Sequence, residues 1–401
     1  MYTNMMAGIV TCTFLRGGMD DGVAAMLQGR LVNIARKNPW LCGHLAKGSP
    51  THTFHFPDPE TAARTVISRC FKAVPYAEAQ LSVDMPYADL ARTLKPYATQ
   101  QGSKLLDQLD EPIFKVNVFD CAEGDMVCVH VDLSHVVADG STYYAVFNML
   151  SEGAEITALN AQRKMDLACT GAAFKAKVGN KEASMSFGMG YMCNMLCAMK
   201  CGPKRKARAY SLNMDRIAAA KNRVDKSKVD FVSTNDVVTS ELGRVFRPRL
   251  LEMAMDLRPH LEGLDKTDAG MYVGNLFFVS KDDYGTPEAV RFAVVGGRAR
   301  RAGHLVTGKG KESPLPGCCG TCCGKLTLVS NWATGAADMV WGNGVEQVLH
   351  IPLEAQMPVD AGIVFKSKPG QWAVLVFSSK ALQFADSTTQ FGELLAPKMF
   401  A

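Results

Sequence analysis

The chain has 401 residues, which is too long for one ordinary hydrophobic core and suits two domains of about 200 residues each. Hydrophobic residues make up 47% of it and charged residues 21%, a composition that excludes a long disordered protein. With 44 basic and 39 acidic residues the net charge is +5, so an anionic small ligand fits the chain better than a nucleic acid.

The amino terminus is predicted to open with a strand at residues 7–15. No positively charged segment precedes this apolar run, as a signal peptide would require. No stretch approaches eighteen apolar residues, so we expect no membrane span. Without a secretory signal, the 13 cysteines are predicted to be reduced thiols of a cytoplasmic protein.

The first half carries clear helix and strand patterns. Apolar residues recur at helical spacing from residue 22, and this helix is predicted to end at Asn38 because the residue before a proline disfavours the helical region. Amphipathic spacing predicts a second helix near 61–71. Alternation then predicts two strands joined by a glycine-containing turn, followed by a third helix: 113–119, 126–134 and 141–150.

The pattern loosens in the middle of the chain. We interpret 166–207 as a crossover linker between an N-terminal domain, 1–165, and a C-terminal domain, 208–401. After the linker we predict helices at 213–224 and 234–246.

The second of these helices is predicted to have Thr234 at its start and an incomplete capping box, because Val237 is neither Glu nor Gln. Strands are predicted at 229–232, 275–280, 325–332, 348–351, 359–366 and 372–378.

His135, Asp139 and Gly140 form an HxxxDG motif where a predicted strand gives way to a loop and a helix. Alone the motif is weak, because eight histidines produce it by chance at the level of a few per cent. The other interpretation is a histidine beside a solvated Asp-Gly turn. The position favours chemistry, since rigid elements aim a side chain and a loop exposes it.

The run SHVVADGST around this motif resembles the signature of the BAHD acyltransferases and of the wider chloramphenicol-acetyltransferase-like superfamily. Six further stretches are similar to family stretches in the same order: NPWLCGHL (38–45), DFVSTNDVVTSELGRVF (230–246), AMDLRPHL (254–261), GMYVGN (270–275), VSNWATGAADMVWGNG (329–344) and DAGIVFKSKPGQWAVLVF (360–377). The resemblance covers most of residues 20–380.

The resemblance implies an α/β fold of two chloramphenicol-acetyltransferase-like domains, each a mixed sheet flanked by helices, with a substrate channel between them. It also implies that acyl-coenzyme A is the co-substrate, that no metal takes part, and that a small-molecule hydroxyl or amine is the acceptor. His135 would be the general base of a direct ternary-complex reaction, which needs no covalent nucleophile.

The resemblance assigns roles to further residues. Asp139 would pair with Arg258 as structural support, and Gly140 would leave room where a Cβ would clash with substrate or backbone. The other implied positions are Ser330, Asn331 and Trp332 for substrate and oxyanion binding, Ser233 and Thr234 for cofactor binding, and Asp338, Trp341 and Gly342 as the structural motif that replaces the family's DFGWG.

Departures from the family pattern indicate a distant member. The DFGWG stretch keeps only three of its five residues, and the long linker is unlike the plant enzymes. Two alternatives stay open: a condensation-type enzyme that uses a carrier protein, although Ser134 stands where such domains carry a second histidine, and a non-catalytic relative that binds a ligand in the channel.

Three features are interpreted as structural. His130 is predicted to be a satisfied histidine on the face opposite His135, because five residues separate them on a strand. The cysteines of 318–323 have one CxxC spacing but no second pair, which favours free thiols over zinc. Residues 185–208 are interpreted as a crossover helix with solvated charges, or alternatively as a contact with a membrane or a lipid-like substrate. We expect a monomer.

Overall fold

The structure is a computed structural model. It describes residues 8–17, 22–49, 52–168, 171–178, 180–185, 188–296, 304–306, 312–314, 326–354, 357–379 and 390–400. The CCGTCC segment, 318–323, lies outside these residues. In the part of the chain that is described, no helix is long and apolar enough to cross a membrane.

Sixteen strands are present in the described residues. They are β1 (Ile9–Arg16), β2 (His44–Ala46), β3 (Thr53–His55), β4 (Phe71–Val74), β5 (Phe114–Asp120), β6 (Met126–Leu133), β7 (Lys206–Leu212), β8 (Leu250–Asp256), β9 (Val273–Phe278), β10 (His304–Val306), β11 (Glu312–Pro314), β12 (Leu326–Asn331), β13 (Glu346–Pro352), β14 (Asp360–Lys368), β15 (Gln371–Ser378) and β16 (Phe391–Leu394).

Twelve α-helices accompany these strands within the same residues. They are α1 (Gly22–Lys37), α2 (Pro59–Cys70), α3 (Tyr76–Ala79), α4 (Tyr87–Leu94), α5 (Gly140–Asn148), α6 (Ala172–Val178), α7 (Asn180–Met185), α8 (Met189–Cys201), α9 (Met214–Asn222), α10 (Thr234–Phe246), α11 (Lys281–Tyr284) and α12 (Pro287–Gly296).

The first large sheet has the strand order β13-β1-β6-β5-β4. Its central strand β6 is buried along its whole length because both faces are covered. Val129 and Val131 pack on one face with residues of α1, α2 and α5. Cys128 faces the other way, into a core shared with Phe365 and Leu375 of the second sheet.

The second large sheet has the order β16-β7-β15-β14-β12-β8-β9. Strands β8, β12 and β14 run parallel to one another, while the remaining pairs are antiparallel. Val238 and Leu242 of α10 cover one face against Val329 and Val364. The other face turns toward the first sheet, so the two sheets meet in one core.

Most predicted elements are confirmed, including an α/β class with two mixed sheets. Helix α1 ends at Lys37, one residue before Asn38, as the following proline requires. The domain division stays a prediction. Two strands do not follow the predicted bounds. Strand β13 lies in the predicted second domain but pairs with β1 of the first sheet. Strand β7 begins at Lys206, inside the predicted linker.

Two local predictions are wrong. Residues 229–232 form no strand, because they follow a turn and lead directly into the start of α10, with the Phe231 side chain 60% exposed. The capping box is complete, because the N-cap is Ser233 rather than Thr234. The Asp236 amide donates to the Ser233 hydroxyl, and the Ser233 amide donates to the Asp236 carboxylate at 2.6 Å. Asp therefore does here what Glu or Gln does in the usual pattern.

Candidate active site

A cavity of about 2330 Å³ is walled by residues of both large sheets and of several helices. Nine of the twelve residues singled out from the sequence line it: His135, Asp139, Gly140, Ser233, Thr234, Arg258, Ser330, Asn331 and Trp332. Asp338, Trp341 and Gly342 lie elsewhere. Positions far apart in the chain therefore line one cavity.

His135 lies in the turn that follows β6, two residues beyond its last residue Leu133, and in the wall of this cavity. Its Nδ1 lies 2.9 Å from the carbonyl oxygen of Ala138. A carbonyl can only accept, so Nδ1 carries the hydrogen and Nε2 holds the free lone pair. Burial lowers the pKa of His135 below its ordinary value, which keeps the imidazole neutral at neutral pH. The ring is thus fixed in the form that accepts a proton at Nε2.

Asp139 does not hold the imidazole. Its carboxylate is the N-cap of α5, accepting from the Thr142 amide at 2.9 Å, and it also accepts from the Tyr272 amide at 2.8 Å. Arg258 donates to both carboxylate oxygens, with Nη1 at 3.0 Å and Nη2 at 3.1 Å. The acid is thus occupied in fixing the start of α5, the helix that follows the His135 loop.

Arg258 lies just beyond the end of β8, and the resemblance implied that it would meet Asp139. Besides Asp139 it donates to the Asp256 carboxylate at 2.8 Å and to the Asp268 carbonyl at 2.9 Å. Its guanidinium also lies over the ring of Tyr272, 5.2 Å from the centroid. One buried cation therefore ties the loop after β6 to the end of β8, across the two halves of the chain.

Gly140 corrects one expectation. A Cβ built on it would come no closer than 3.9 Å to the Trp332 ring, which is an ordinary contact. The residue is therefore not required by a clash with the protein. Gly140 lines the cavity, so the space beside it is open to a molecule that binds there.

The end of β12 offers hydrogen-bond donors. Trp332 has none to spare, since its backbone amide donates to the Val364 carbonyl at 2.8 Å and its indole donates to the Ser330 hydroxyl at 3.0 Å. Because the Ser330 oxygen accepts that bond, its own hydrogen is left to point into the cavity. Asn331 lines the cavity as well, and its side-chain nitrogen is a further donor group at this end of β12. Ser330 and Asn331 therefore have donors that are not used in these bonds, whereas both donors of Trp332 are used.

Ser233 and Thr234 line the cavity at the start of α10, beside two cationic side chains. Lys221 donates to the Thr234 hydroxyl at 2.8 Å. Arg291 lies between the Asp236 carboxylate, 2.7 Å from its Nε, and the ring of Phe231, 4.5 Å from the centroid. This part of the cavity combines positive charge with an exposed aromatic face.

The DFGWG-like residues differ in exposure, since Trp341 is buried and Asp338 is exposed. Trp341 is buried, and its indole donates to the Gln347 side chain at 3.1 Å. Asp338 lies 3.2 Å from Lys366. Gly342 has φ of +121°, a conformation that other residues avoid. These residues shape the loop between β12 and β13.

His130 was predicted wrongly. It is fully buried and also lines the cavity. The Asn117 amide nitrogen donates to the Tyr97 carbonyl at 3.3 Å and lies 3.1 Å from His130 Nδ1, so Nδ1 accepts and Nε2 carries the hydrogen. That Nε2 has no hydrogen-bond partner in the described chain. The residue is therefore not a satisfied core histidine.

Sequence reasoning missed two residues beside the motif. Arg163 donates to the Val137 carbonyl at 2.5 Å and to the Ala269 carbonyl at 3.1 Å, bracing the His135 loop from the segment before α6. Tyr144 of α5 lines the cavity, and its ring meets Trp332 edge-on with centroids 6.3 Å apart. Arg163 stands in loosely patterned sequence that carries no signal. The helical periodicity after Gly140 did place Tyr144 on a helix.

Comparison with known proteins supports the fold. No family model and no curated protein matches this sequence. Among solved structures, F. graminearum TRI101 complexed with coenzyme A and T-2 mycotoxin matches with 12% identity and a TM-score of 0.58, over 93% of this chain and 92% of that chain. The first condensation domain of the CDA synthetase matches with 13% identity and a TM-score of 0.53, over 94% and 85%.

Polyketide synthase associated protein 5 from Mycobacterium tuberculosis matches with 15% identity and a TM-score of 0.57, over 95% of this chain and 92% of that chain. These matches span nearly the whole chain at low identity, so they establish its fold alone. The protein has the chloramphenicol-acetyltransferase-like fold with two mixed sheets that the family resemblance implied.

Proposed function

We propose that the protein transfers an acyl group from acyl-coenzyme A to a hydroxyl or amine of a small acceptor, with His135 as general base. The observation that carries this proposal is the state of the imidazole. It is neutral, held through Nδ1, and has its Nε2 lone pair free in the wall of a cavity that residues of both sheets line. A general base needs these three properties.

In the proposed reaction the acceptor oxygen or nitrogen attacks the thioester carbonyl carbon while its proton moves to Nε2 of His135. The carbonyl π electrons move to oxygen, where Ser330 and Asn331 supply hydrogen-bond donors. The intermediate then collapses, the C–S bond breaks, and the departing thiolate takes the proton from Nε2. Atoms and charge balance with no covalent enzyme intermediate and no metal.

The charged part of coenzyme A is proposed to bind at the start of α10. Lys221 has no carboxylate partner among the described residues, and Arg291, which pairs with Asp236, lines the same cavity. Phosphate groups favour such cations, and the exposed ring of Phe231 offers an aromatic face for the adenine. Ser233 and Thr234 belong to the same wall, in keeping with their predicted cofactor role.

The test is turnover of purified protein with a panel of acyl-coenzyme A donors and mixed alcohol and amine acceptors, measured as thiol release. His135→Ala should lower kcat by a hundredfold to ten-thousandfold, roughly, with an unchanged melting temperature. His52→Ala, at an exposed histidine, is the matched control. A His135→Ala rate above about a tenth of wild type would contradict the proposal.

The same panel separates the alternatives. Thiol release only from a phosphopantetheinyl carrier protein would select the condensation-type reaction. Ligand binding without turnover by any donor would select the non-catalytic relative. The expected monomeric state and cytoplasmic location stay predictions.

A further inference from the structure

Helix α8 (Met189–Cys201) forms a wall of the cavity that the proposed chemistry does not use. Its residues Tyr191, Met192, Met195, Leu196 and Met199 line that space. Positions 192, 195, 196 and 199 recur at the spacing that puts side chains on one helix face. Part of this stripe packs against the protein at Met195, while Leu196 and Met199 are left partly uncovered beside the cavity.

The stripe continues from the interior to the surface. Met195 is 7% exposed, Leu196 41% and Met199 53%. Methionine side chains are unbranched and flexible, so they adapt to a varied apolar ligand. Helix α8 therefore offers an apolar face that begins inside the cavity and ends at its mouth.

The opposite side of this space is apolar as well. Leu328 of β12, Phe277 of β9 and Val359, just before β14, line the cavity and pack in one cluster with Met195. We call the part of the cavity that these residues and α8 border the apolar trough. Met357 adds a further methionine to the cavity wall.

The trough extends away from the reacting centre. Thr327 pairs with Asp360, so Val359 lies level with Leu326 at the start of β12. Asn331, at the other end of β12, lies in the cavity wall with His135. Five residue steps at about 3.3 Å give a distance of roughly 17 Å along the strand. A short acyl group or a small alcohol at His135 would leave most of this length empty.

We propose that the apolar trough holds the long hydrocarbon chain of a substrate whose reacting end lies at His135. This inference rests on the proposed acyl transfer and adds the substrate class. The hydrocarbon chain belongs either to the acyl group of the donor or to the acceptor. In both cases the same methylene groups would contact the same side chains of the trough.

One polar pair in the trough is compatible with this ligand. The Tyr191 hydroxyl donates to Glu252 at 2.6 Å, and both side chains are buried. Burial raises the pKa of Glu252 to about 7, so this carboxyl becomes mostly uncharged as the pH falls below neutral. The same bond anchors α8 to β8.

The experiment measures chain-length dependence in two arms. The first pairs acetyl-, octanoyl- and palmitoyl-coenzyme A with a short alcohol; the second pairs acetyl-coenzyme A with ethanol, octanol and hexadecanol in detergent below its critical concentration. A buried methylene is worth about 0.8 kcal/mol, so kcat/KM should rise by roughly fourfold for each methylene that enters the trough. The arm in which it rises identifies the source of the chain.

Leu196→Trp tests the location, because Leu196 lines the trough at its mouth and the substitution occupies space there. The ratio of long-chain to short-chain kcat/KM should fall by roughly fifteenfold, the worth of two buried methylenes. Met189→Trp is the matched control: it lies on the same helix, is 75% exposed and does not line the cavity. It should leave the ratio unchanged.

Three outcomes would overturn the inference. They are a flat chain-length dependence in both arms, a Leu196→Trp ratio equal to that of Met189→Trp, and binding to phosphatidylcholine vesicles that Met189→Asp abolishes while the chain-length profile stays flat. In the last case α8 contacts a membrane instead. Failure of the proposed function would give a different result from these three outcomes, because no donor would then release thiol. Displacement of a fluorescent fatty acid, weaker in Leu196→Trp than in Met189→Trp, still tests the trough in that case.

Discussion

The pair of Asp139 and Arg258 is the sharpest test of how the site is held together. Both side chains are almost fully buried, at 2% and 6% exposure. Breaking a buried ion pair by removing one partner costs about 3–5 kcal/mol, because the other charge is left unpaired. The contacts around each residue decide where in that range each variant should fall.

Arg258→Ala should lie at the low end, because the Thr142 and Tyr272 amides still stabilise the Asp139 carboxylate. We expect a loss of about 3 kcal/mol. Asp139→Ala leaves Arg258 with Asp256, which limits the same cost, but it also removes the N-cap of α5, worth about 1 kcal/mol. We expect about 4 kcal/mol for this variant.

The double variant should be less damaged than the sum of the two, with a coupling of about 0.5–3 kcal/mol. The assay is urea unfolding of all four proteins, followed by circular dichroism. The pair of Arg92 and Asp89, 2.7 Å apart but exposed, is the matched control, and its cycle should give less than about 1 kcal/mol. Strict additivity for Asp139 and Arg258 would refute the structural role given to Asp139.

Three further predictions test other parts of the site. Lys221→Ala should raise the KM for acyl-coenzyme A by roughly tenfold, the loss of one charge-assisted contact, while Lys226→Ala in the exposed turn nearby should not; equal effects would contradict the proposed phosphate site. Ser330→Ala or Asn331→Ala should lower kcat by about a hundredfold with KM little changed, depending on which residue supplies the oxyanion donor. The exposed control Asn343→Ala should keep the wild-type rate. Wild-type rates in both Ser330→Ala and Asn331→Ala would exclude both donors. Glu252 has a pKa raised to about 7 in the folded protein, so its stabilising contribution is complete below its unfolded pKa of about 4.3 and is lost as pH rises through 7. Between pH 5 and pH 8 the wild type should therefore lose about 2–3 kcal/mol of unfolding free energy relative to Glu252→Gln, measured by urea unfolding, and parallel pH curves would count against the buried state of this carboxyl.

Local sequence predicted the part of the site that is local in structure. Alternation in β6 and helical spacing after Gly140 are properties of neighbouring residues, so the strand, loop and helix around His135 follow from pattern alone. Arg258 is different, since 119 residues separate it from Asp139 and only the family resemblance brought the two together.

Long-range pairing could not be predicted in this way. Strand β13 pairs with β1, where Thr11 meets Pro352, and no periodicity in either strand specifies its partner. The error at His130 has a different and local cause. Its face was judged from its separation from His135, but His135 lies beyond the end of β6, in a turn where strand alternation no longer applies.

Helix α8 shows what the hydrophobic pattern of a sequence cannot decide. The sequence pattern of Met and Leu at helical spacing is the same for a helix face that packs against protein and for one that lines a cavity. Both kinds of face need apolar side chains on one side of the helix. The distinction depends on what lies opposite, and for Met195 and Leu196 that is set by β9, β12 and the start of β14, which are distant in sequence. Only the closed fold reveals that Leu196 and Met199 border open space. Residues that select a substrate are therefore expected on apolar helix faces that the core leaves uncovered.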